Sequence, residues 1–180
     1  MAIIVDSYSE SNHSNDSYID NSNNFGKGQS FISNGGILNS VVLYLRKAGL
    51  PIGNIYVNIY AHSGVYGTSS LPTGLSLAVS DPIDISTLSL SDELKTFTFS
   101  GANKITLTDG TYYVLTVTCS SLDTTNRLWV SIDQNSPTHS GNLCQTDHTN
   151  TWNLSISSQD VCFYVYKDNP SGPFPTHLRV

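Results

Sequence analysis

The fold class is decided by the stretch Asn54–His62, which reads NIYVNIYAH. Apolar and polar residues alternate along it, and this pattern predicts a β-strand with one buried and one exposed face. The predicted inward side chains are Ile55, Val57, Ile59 and Ala61, and the predicted outward ones are Tyr56, Asn58, Tyr60 and His62. The exposed face of this strand therefore carries aromatic rings and hydrogen-bonding groups.

Similar alternation recurs on both sides, in short segments separated by glycine, proline and asparagine. The segment Ile37–Lys47 precedes the strand and joins it through the tight turn Gly49–Gly53, whereas Ser63–Thr73 reads as a loop. Asp109-Gly110 is a strong turn signal and predicts a hairpin between Ile105–Thr108 and Gly110–Cys119. Further predicted elements are strands at Leu75–Val79, Leu94–Ser100, Arg127–Asp133, Gly141–Gln145, Thr151–Ile156 and Gln159–Lys167, and one helical turn around Ser89–Glu93. No long segment has helical periodicity, so the sequence predicts an all-β chain that forms an antiparallel β-sandwich.

The ends of the chain differ from this pattern, and we predict three parts: an N-terminal arm at residues 1–24, the sandwich at 25–167 and a C-terminal tail at 168–180. Ser7–Asn24 is polar and has no periodicity, which predicts an arm without strands. The tail contains three prolines, which favour an extended chain. Its apolar residues Phe174, Leu178 and Val180 predict docking on another surface, for example that of a neighbouring subunit, with a frayed end as the alternative.

The unusual feature of the composition is the low content of charge. Only 12% of the 180 residues are charged, the net charge is −6, and 60 residues are serine, threonine or asparagine. Eight lysines and arginines cannot supply the cationic surface that nucleic acid or an anionic membrane requires, so we expect neither as a partner. The N-terminal residues Met1–Asp6 have no signal-peptide pattern, so we expect synthesis in a cytoplasm.

Residues that carry catalysis or bind metals form no recognisable motif. The cysteines Cys119, Cys144 and Cys162 form no CxxC pair and are predicted to be buried thiols. Two weak metal patterns exist, one in the loop Pro137–Trp152 and one in the carboxylates of the predicted arm, and a solvated surface explains both better. The side chains in question are His139, Cys144, Asp147 and His148 in the loop, and Asp6, Glu10, Asp16 and Asp20 in the arm. There is no G-x-S-x-G or P-loop motif, and the only glutamates are Glu10 and Glu93, so we predict no enzyme, no metal and no cofactor.

Aromatic residues are the remaining candidates for binding. Ten tyrosines and two tryptophans are present, and several alternate outward on predicted strands. Such rings beside hydroxyls and amides stack on sugars and also fill protein interfaces, or simply pack under loops. The candidate binding residues are Tyr56, Tyr60 and Trp129.

A resemblance extends over residues 25–167. Its motifs are Gly28–Phe31, Leu43–Lys47, Gly49–Tyr60, Pro72–Gly74, Leu77–Ser80, Phe97–Gly101, Leu107–Tyr113, Trp152 and Asp160–Tyr166. These segments resemble the jelly-roll β-sandwich modules that recur in bacteriophage structural proteins and in carbohydrate-binding-like bacterial surface proteins. They specify a fold more than a function, and the family offers no catalytic residues to transfer.

The resemblance implies a non-enzymatic virion structural protein, with a capsid decoration (cement) protein as the first hypothesis. It implies a location in the virion, other virion proteins as partners and a homo-oligomer, with a trimer favoured. The second hypothesis is a phage tail or fibre protein, or another carbohydrate-binding module, that recognises host surface glycans. A hydrolase is the third, and the sequence nominates no residue for it.

Overall fold

A computed structural model describes residues 2–22 and 24–169, and they form two antiparallel β-sheets packed face to face. The first sheet contains β1 Ile3–Tyr8, β2 Asn15–Ile19, β4 Gly36–Ala48, β8 Glu93–Thr98, β9 Thr106–Leu107, β11 Arg127–Asp133, β14 Asp160–Val161 and β15 Phe163–Lys167. The second contains β3 Gly26–Ile32, β5 Asn54–Ser63, β6 Leu71–Val79, β7 Ile83–Asp84, β10 Tyr112–Cys119, β12 Leu143–Thr146 and β13 Trp152–Ile156. Short 3₁₀ turns occur at Glu10–Asn12, Ile85–Thr87 and Gly101–Asn103. The predicted all-β antiparallel sandwich is confirmed.

The first sheet is organised around β4, which is 13 residues long. Its neighbours follow the order β1-β15-β4-β11-β14, while β8 and β9 also pair with β4 and β2 pairs with β11. In the described residues β1 pairs only with β15, so its other side is an edge of the sheet.

The second sheet has the order β13-β12-β3-β10-β5-β6, with β7 also paired to β5. Its two outer strands, β13 and β6, contact each other, and Ser155 Oγ donates to the carbonyl oxygen of Thr68 at 2.8 Å. The sheet is therefore curled so that its two outer strands meet.

The core lies between the sheets and follows the alternation seen in the sequence. Ile55, Val57 and Ile59 of β5 are fully buried, as are Val41, Leu43 and Leu45 of β4. Cys119, Cys144 and Cys162 are buried free thiols, as predicted.

The prediction that Ser7–Asn24 contains no strand is wrong. β1 extends to Tyr8, and β2 pairs with β11 so that Ile19 lies opposite Leu128 and is fully buried. A polar strand needs no apolar alternation when its outer face is solvated and a neighbour supplies its hydrogen-bond partners, so tertiary context overrides the local pattern.

Three local predictions are also corrected. The segments around Asp109-Gly110 do not form a hairpin, because β9 pairs with β4 in the first sheet while β10 pairs with β3 and β5 in the second. The 3₁₀ turn lies at Ile85–Thr87, where the Asp84 carboxylate accepts from Ser86 N–H, and not at Ser89–Glu93. The loop after β5 ends earlier than predicted, since β6 begins at Leu71.

None of the helical segments in the described ranges has the length and apolar character needed to cross a bilayer.

Candidate functional site

A cleft of about 500 Å³ opens at one end of the second sheet's outer face. It is lined by Asn21, Phe25, Tyr56, Thr118, Cys119, Ser120, Ser121 and Asn150. Tyr56 of β5 lies directly opposite Thr118 of β10, so the ladder between these strands forms the floor. The volume lies within the range of small-molecule sites, about 300–1,000 Å³.

The loops around the cleft hold an unusual backbone. Asn21, Ser121 and Asn150 have φ angles of 55°, 65° and 58°, which place three lining residues in the left-handed region. Residues other than glycine adopt this region rarely, and such conformations concentrate at functional sites. Asn21 Nδ2 donates to the carbonyl oxygen of Cys119 at 2.9 Å and so fastens the loop after β2 to the end of β10.

The turn that presents Asn150 is fixed by one carboxylate. Asp147 Oδ1 accepts from the backbone N–H groups of Thr149 (2.8 Å) and Thr151 (3.0 Å). These hydrogen bonds, with that of the Thr149 hydroxyl first among them, hold the pKa of Asp147 well below its usual value. The part of the rim that contains Asn150 is therefore a turn with a fixed backbone conformation.

A third aromatic ring, that of Trp152, stands beside the cleft. A Cβ placed on Gly26 would lie 3.0 Å from the six-membered ring of Trp152 and 3.1 Å from Thr118 Cγ2. The indole of Trp152 thus covers Gly26 next to Thr118, and only glycine leaves room for it. Phe25 is anchored next to it, because Thr146 Oγ1 accepts from the N–H groups of Phe25 (2.8 Å) and Gly26 (3.1 Å).

The lining groups are hydroxyls, amides, aromatic rings and one thiol, and none of the eight residues is an acid or a base of the Asp, Glu, Lys, Arg or His type. Burial raises the pKa of Cys119 to about 12, so its thiol stays protonated at neutral pH. An arrangement of this kind suits a neutral polar ring that stacks on an aromatic face and exchanges hydrogen bonds with amides.

The structure separates the three binding residues predicted from the sequence. Tyr56 lines the cleft, and Tyr60 lies four residues further along the same face of β5, half-buried, with a pKa raised by burial. Trp129 lies on β11 in the other sheet, where its ring contacts Tyr18 (5.3 Å between centroids) and the guanidinium of Arg46 (4.6 Å). Sequence reasoning missed Phe25, which lines the cleft, and Trp152, which stands beside the cleft over Gly26, and the glycine after Phe25 was the available signal.

The outer face of the first sheet forms a ladder of arginine and aromatic rings, Arg127–Tyr18–Trp129–Arg46. Next to it, His13, Asp16 and Asp92 lie close enough to share a metal ion. The Arg46 guanidinium already pairs with Asp16 (3.0 Å) and Asp92 (3.5 Å), so a protein cation occupies this position.

Among the residues that the structure describes, the fold gathers neither of the two metal patterns noted in the sequence into one group of ligands. Asp6 accepts from Ile32 N–H, Glu10 accepts from the Tyr164 hydroxyl, and Asp20 accepts from Ser22 N–H. His139 lies beside Asp6, away from the exposed turn of Asp147.

A groove of about 740 Å³ runs beside the edge strand β1. It is lined by Ile3, Asn34, Gly35, Gly36, Ile37, Lys167, Asp168 and Asn169. Ile3 and Ile37 are 40% and 46% exposed, so the groove presents apolar surface to solvent. The predicted docking residues Phe174, Leu178 and Val180 lie outside the described residues.

Comparison with known proteins finds no matching family model, no matching curated protein and no matching solved structure.

Proposed function

We propose that this chain is a non-enzymatic structural protein of a bacteriophage particle that binds a neutral glycan in the cleft at Tyr56. The observation that carries the binding activity is the uncharged aromatic cleft, with its rings of Tyr56 and Phe25, its hydroxyls and its two asparagine amides. The virion assignment rests on the resemblance described above.

The chemistry of the cleft favours a neutral sugar over an anionic one. A sialic or uronic acid carries a carboxylate, which proteins bind with arginine, lysine or a cluster of backbone N–H groups. The cleft lining contains no arginine or lysine. A pyranose ring has apolar faces for Tyr56 and hydroxyls for Asn21, Thr118 and Asn150, so each class of lining group has a partner.

The experiment is a screen of immobilised glycans, followed by calorimetry on a neutral saccharide that binds. Tyr56→Ala should weaken binding at least tenfold, because a stacked ring contributes about 1 kcal/mol or more beyond its area. The matched control is Tyr112→Ala, a tyrosine 40% exposed on the same face of β10 but about 20 Å from Thr118 at the strand rise of a β-sheet. It should bind like the parent.

Two outcomes would refute the glycan proposal. One is a screen in which no neutral glycan binds. The other is equal weakening by Tyr56→Ala and Tyr112→Ala, which would mean that the cleft is not the site.

Capsid decoration without a glycan ligand is the second candidate function. The observation that favours it is the apolar groove beside β1, where Ile3 of the edge strand and Ile37 of β4 are exposed. Homo-oligomerisation, with a trimer favoured, and contacts with other virion proteins belong to this proposal. Cosedimentation with particles that lack the protein tests it, independently of any glycan.

A further inference from the structure

Lys27 is buried where lysine is seldom found. It lies on β3, is 2% exposed and ranks among the largest fully buried side chains. Its ammonium group contacts the amide oxygen of Gln145 and donates to Asn24 Oδ1 at 3.4 Å. Burying an ammonium group is costly, because amide dipoles replace its water only in part.

Lys27 loses its proton at a lower pH than an exposed lysine does. Burial lowers the pKa of Lys27 to about 8, and it prevails over the opposing field of Asp20. A substantial fraction of the side chain is therefore a neutral amine near pH 8, and a neutral amine is a nucleophile.

The β-ladder holds this amine against one amide. Lys27 and Gln145 are direct cross-strand partners in the β3–β12 pair, so their side chains leave the sheet on the same face. Strand pairing thus fixes both groups before any reaction, which removes most of the entropic barrier to joining them.

We propose that Lys27 and Gln145 join through an intramolecular isopeptide bond. The lone pair of Nζ attacks Cδ of Gln145, the new C–N bond forms, and the bond from Cδ to Nε2 breaks. The departing nitrogen takes up a proton from Nζ and leaves as ammonia, so atoms balance and no oxidant is needed. The product is a neutral amide, which removes the buried charge.

Asp20 is the buried carboxylate whose field acts on this amine. Its carboxyl is 1% exposed, accepts from Asn24 N–H at 3.4 Å and acts on Lys27 electrostatically. This field favours the ammonium form, and burial outweighs it, so the amine can still lose its proton.

The test is the intact mass of the folded, full-length protein after storage at pH 8 and transfer into denaturant. The parent should weigh about 17 Da less than its sequence, the mass of the ammonia lost when the amine displaces it. Lys27→Arg keeps a cation but lacks the amine, and it should have the full sequence mass. Proteolysis of the parent should release one branched peptide that joins position 27 to position 145.

The Lys27→Arg variant also distinguishes the isopeptide bond from succinimide formation at Asn34-Gly35. That reaction removes one ammonia as well, but it requires no lysine. A deficit that persists in Lys27→Arg would therefore overturn the proposal. A parent with the full sequence mass would overturn it as well, and a branch mapped to Asn24 would overturn the assignment to Gln145.

Discussion

At the scale of single residues, Asp160 is a buried carboxyl whose ionisation opposes folding. It is 2% exposed and accepts from Gln29 Nε2 at 2.8 Å. Burial raises its pKa to about 6, whereas an unfolded aspartate titrates near 3.9. The folded state thus holds the proton more tightly, so the contribution of this group to stability is complete below about pH 4 and is lost as the pH rises to about 6.

Asp160→Asn should remove this dependence, because asparagine keeps an acceptor for Gln29 and carries no charge. We expect the variant to exceed the parent in free energy of unfolding by roughly 1–3 kcal/mol at pH 7.5, with no difference attributable to charge near pH 4. Urea denaturation at both pH values measures it. A difference that is the same at both would contradict the assignment.

Asp147→Asn is the control of opposite sign. Hydrogen bonds from Thr149 and Thr151 lower the pKa of Asp147, so its contribution is present above about pH 4 and is lost as the pH falls below that value. This variant should therefore be less stable than the parent at pH 7.5, and the two should converge in acid.

At the scale of elements, β2 is a polar strand that nevertheless contributes to the core. Ile19 is fully buried opposite Leu128. Ile19→Ala should lower the free energy of unfolding by about 2–4 kcal/mol, since it leaves a cavity between the sheets. Ile3→Ala on β1, where the side chain is 40% exposed, should cost less than about 1 kcal/mol. Equal, small losses in urea denaturation would mean that β2 does not pack as described.

The strands that the sequence predicts are those with one face buried in the core and the other face exposed to solvent. The alternation of Ile55, Val57 and Ile59 with polar residues predicts β5, because a period of two is a local property of the chain. The local sequence does not predict β2. It does not predict that the chain passes from β9 in one sheet to β10 in the other either, because strand pairing depends on residues far away in sequence. Asp109-Gly110 makes a turn, but a turn does not determine which strands pair.

The same limit applies to the cleft. Tyr56 was predictable as an outward ring on an alternating strand. Trp152 stands beside the cleft only because β13 and β12 place it over Gly26, and Trp129, an equally good candidate by pattern, lies on the other sheet. Sequence alternation assigns a face to a ring, whereas the order of strands in a sheet decides which rings meet.

At the scale of the whole molecule, the low charge content has a consequence for binding. With 12% charged residues and a net charge of −6, the surface offers few groups for salt-sensitive contacts. The groove beside β1 is an example of such a surface. The exposed isoleucines Ile3 and Ile37 line it, and next to them Asp168 already forms an ion pair with Lys104 of the same chain (2.7 Å).

If the groove docks on a particle, the affinity should come from apolar burial and be nearly independent of salt. Cosedimentation with particles that lack the protein should give a Kd that changes less than about threefold between 50 and 500 mM NaCl, a range in which screening weakens ionic contacts strongly. Ile37→Asp should weaken binding at least tenfold, since it places a charge against apolar surface. Leu50→Asp, at a leucine that is 85% exposed outside the groove, is the matched control and should bind like the parent. A steep loss of binding with salt, or equal losses in the two variants, would show that the groove beside β1 is not the contact surface.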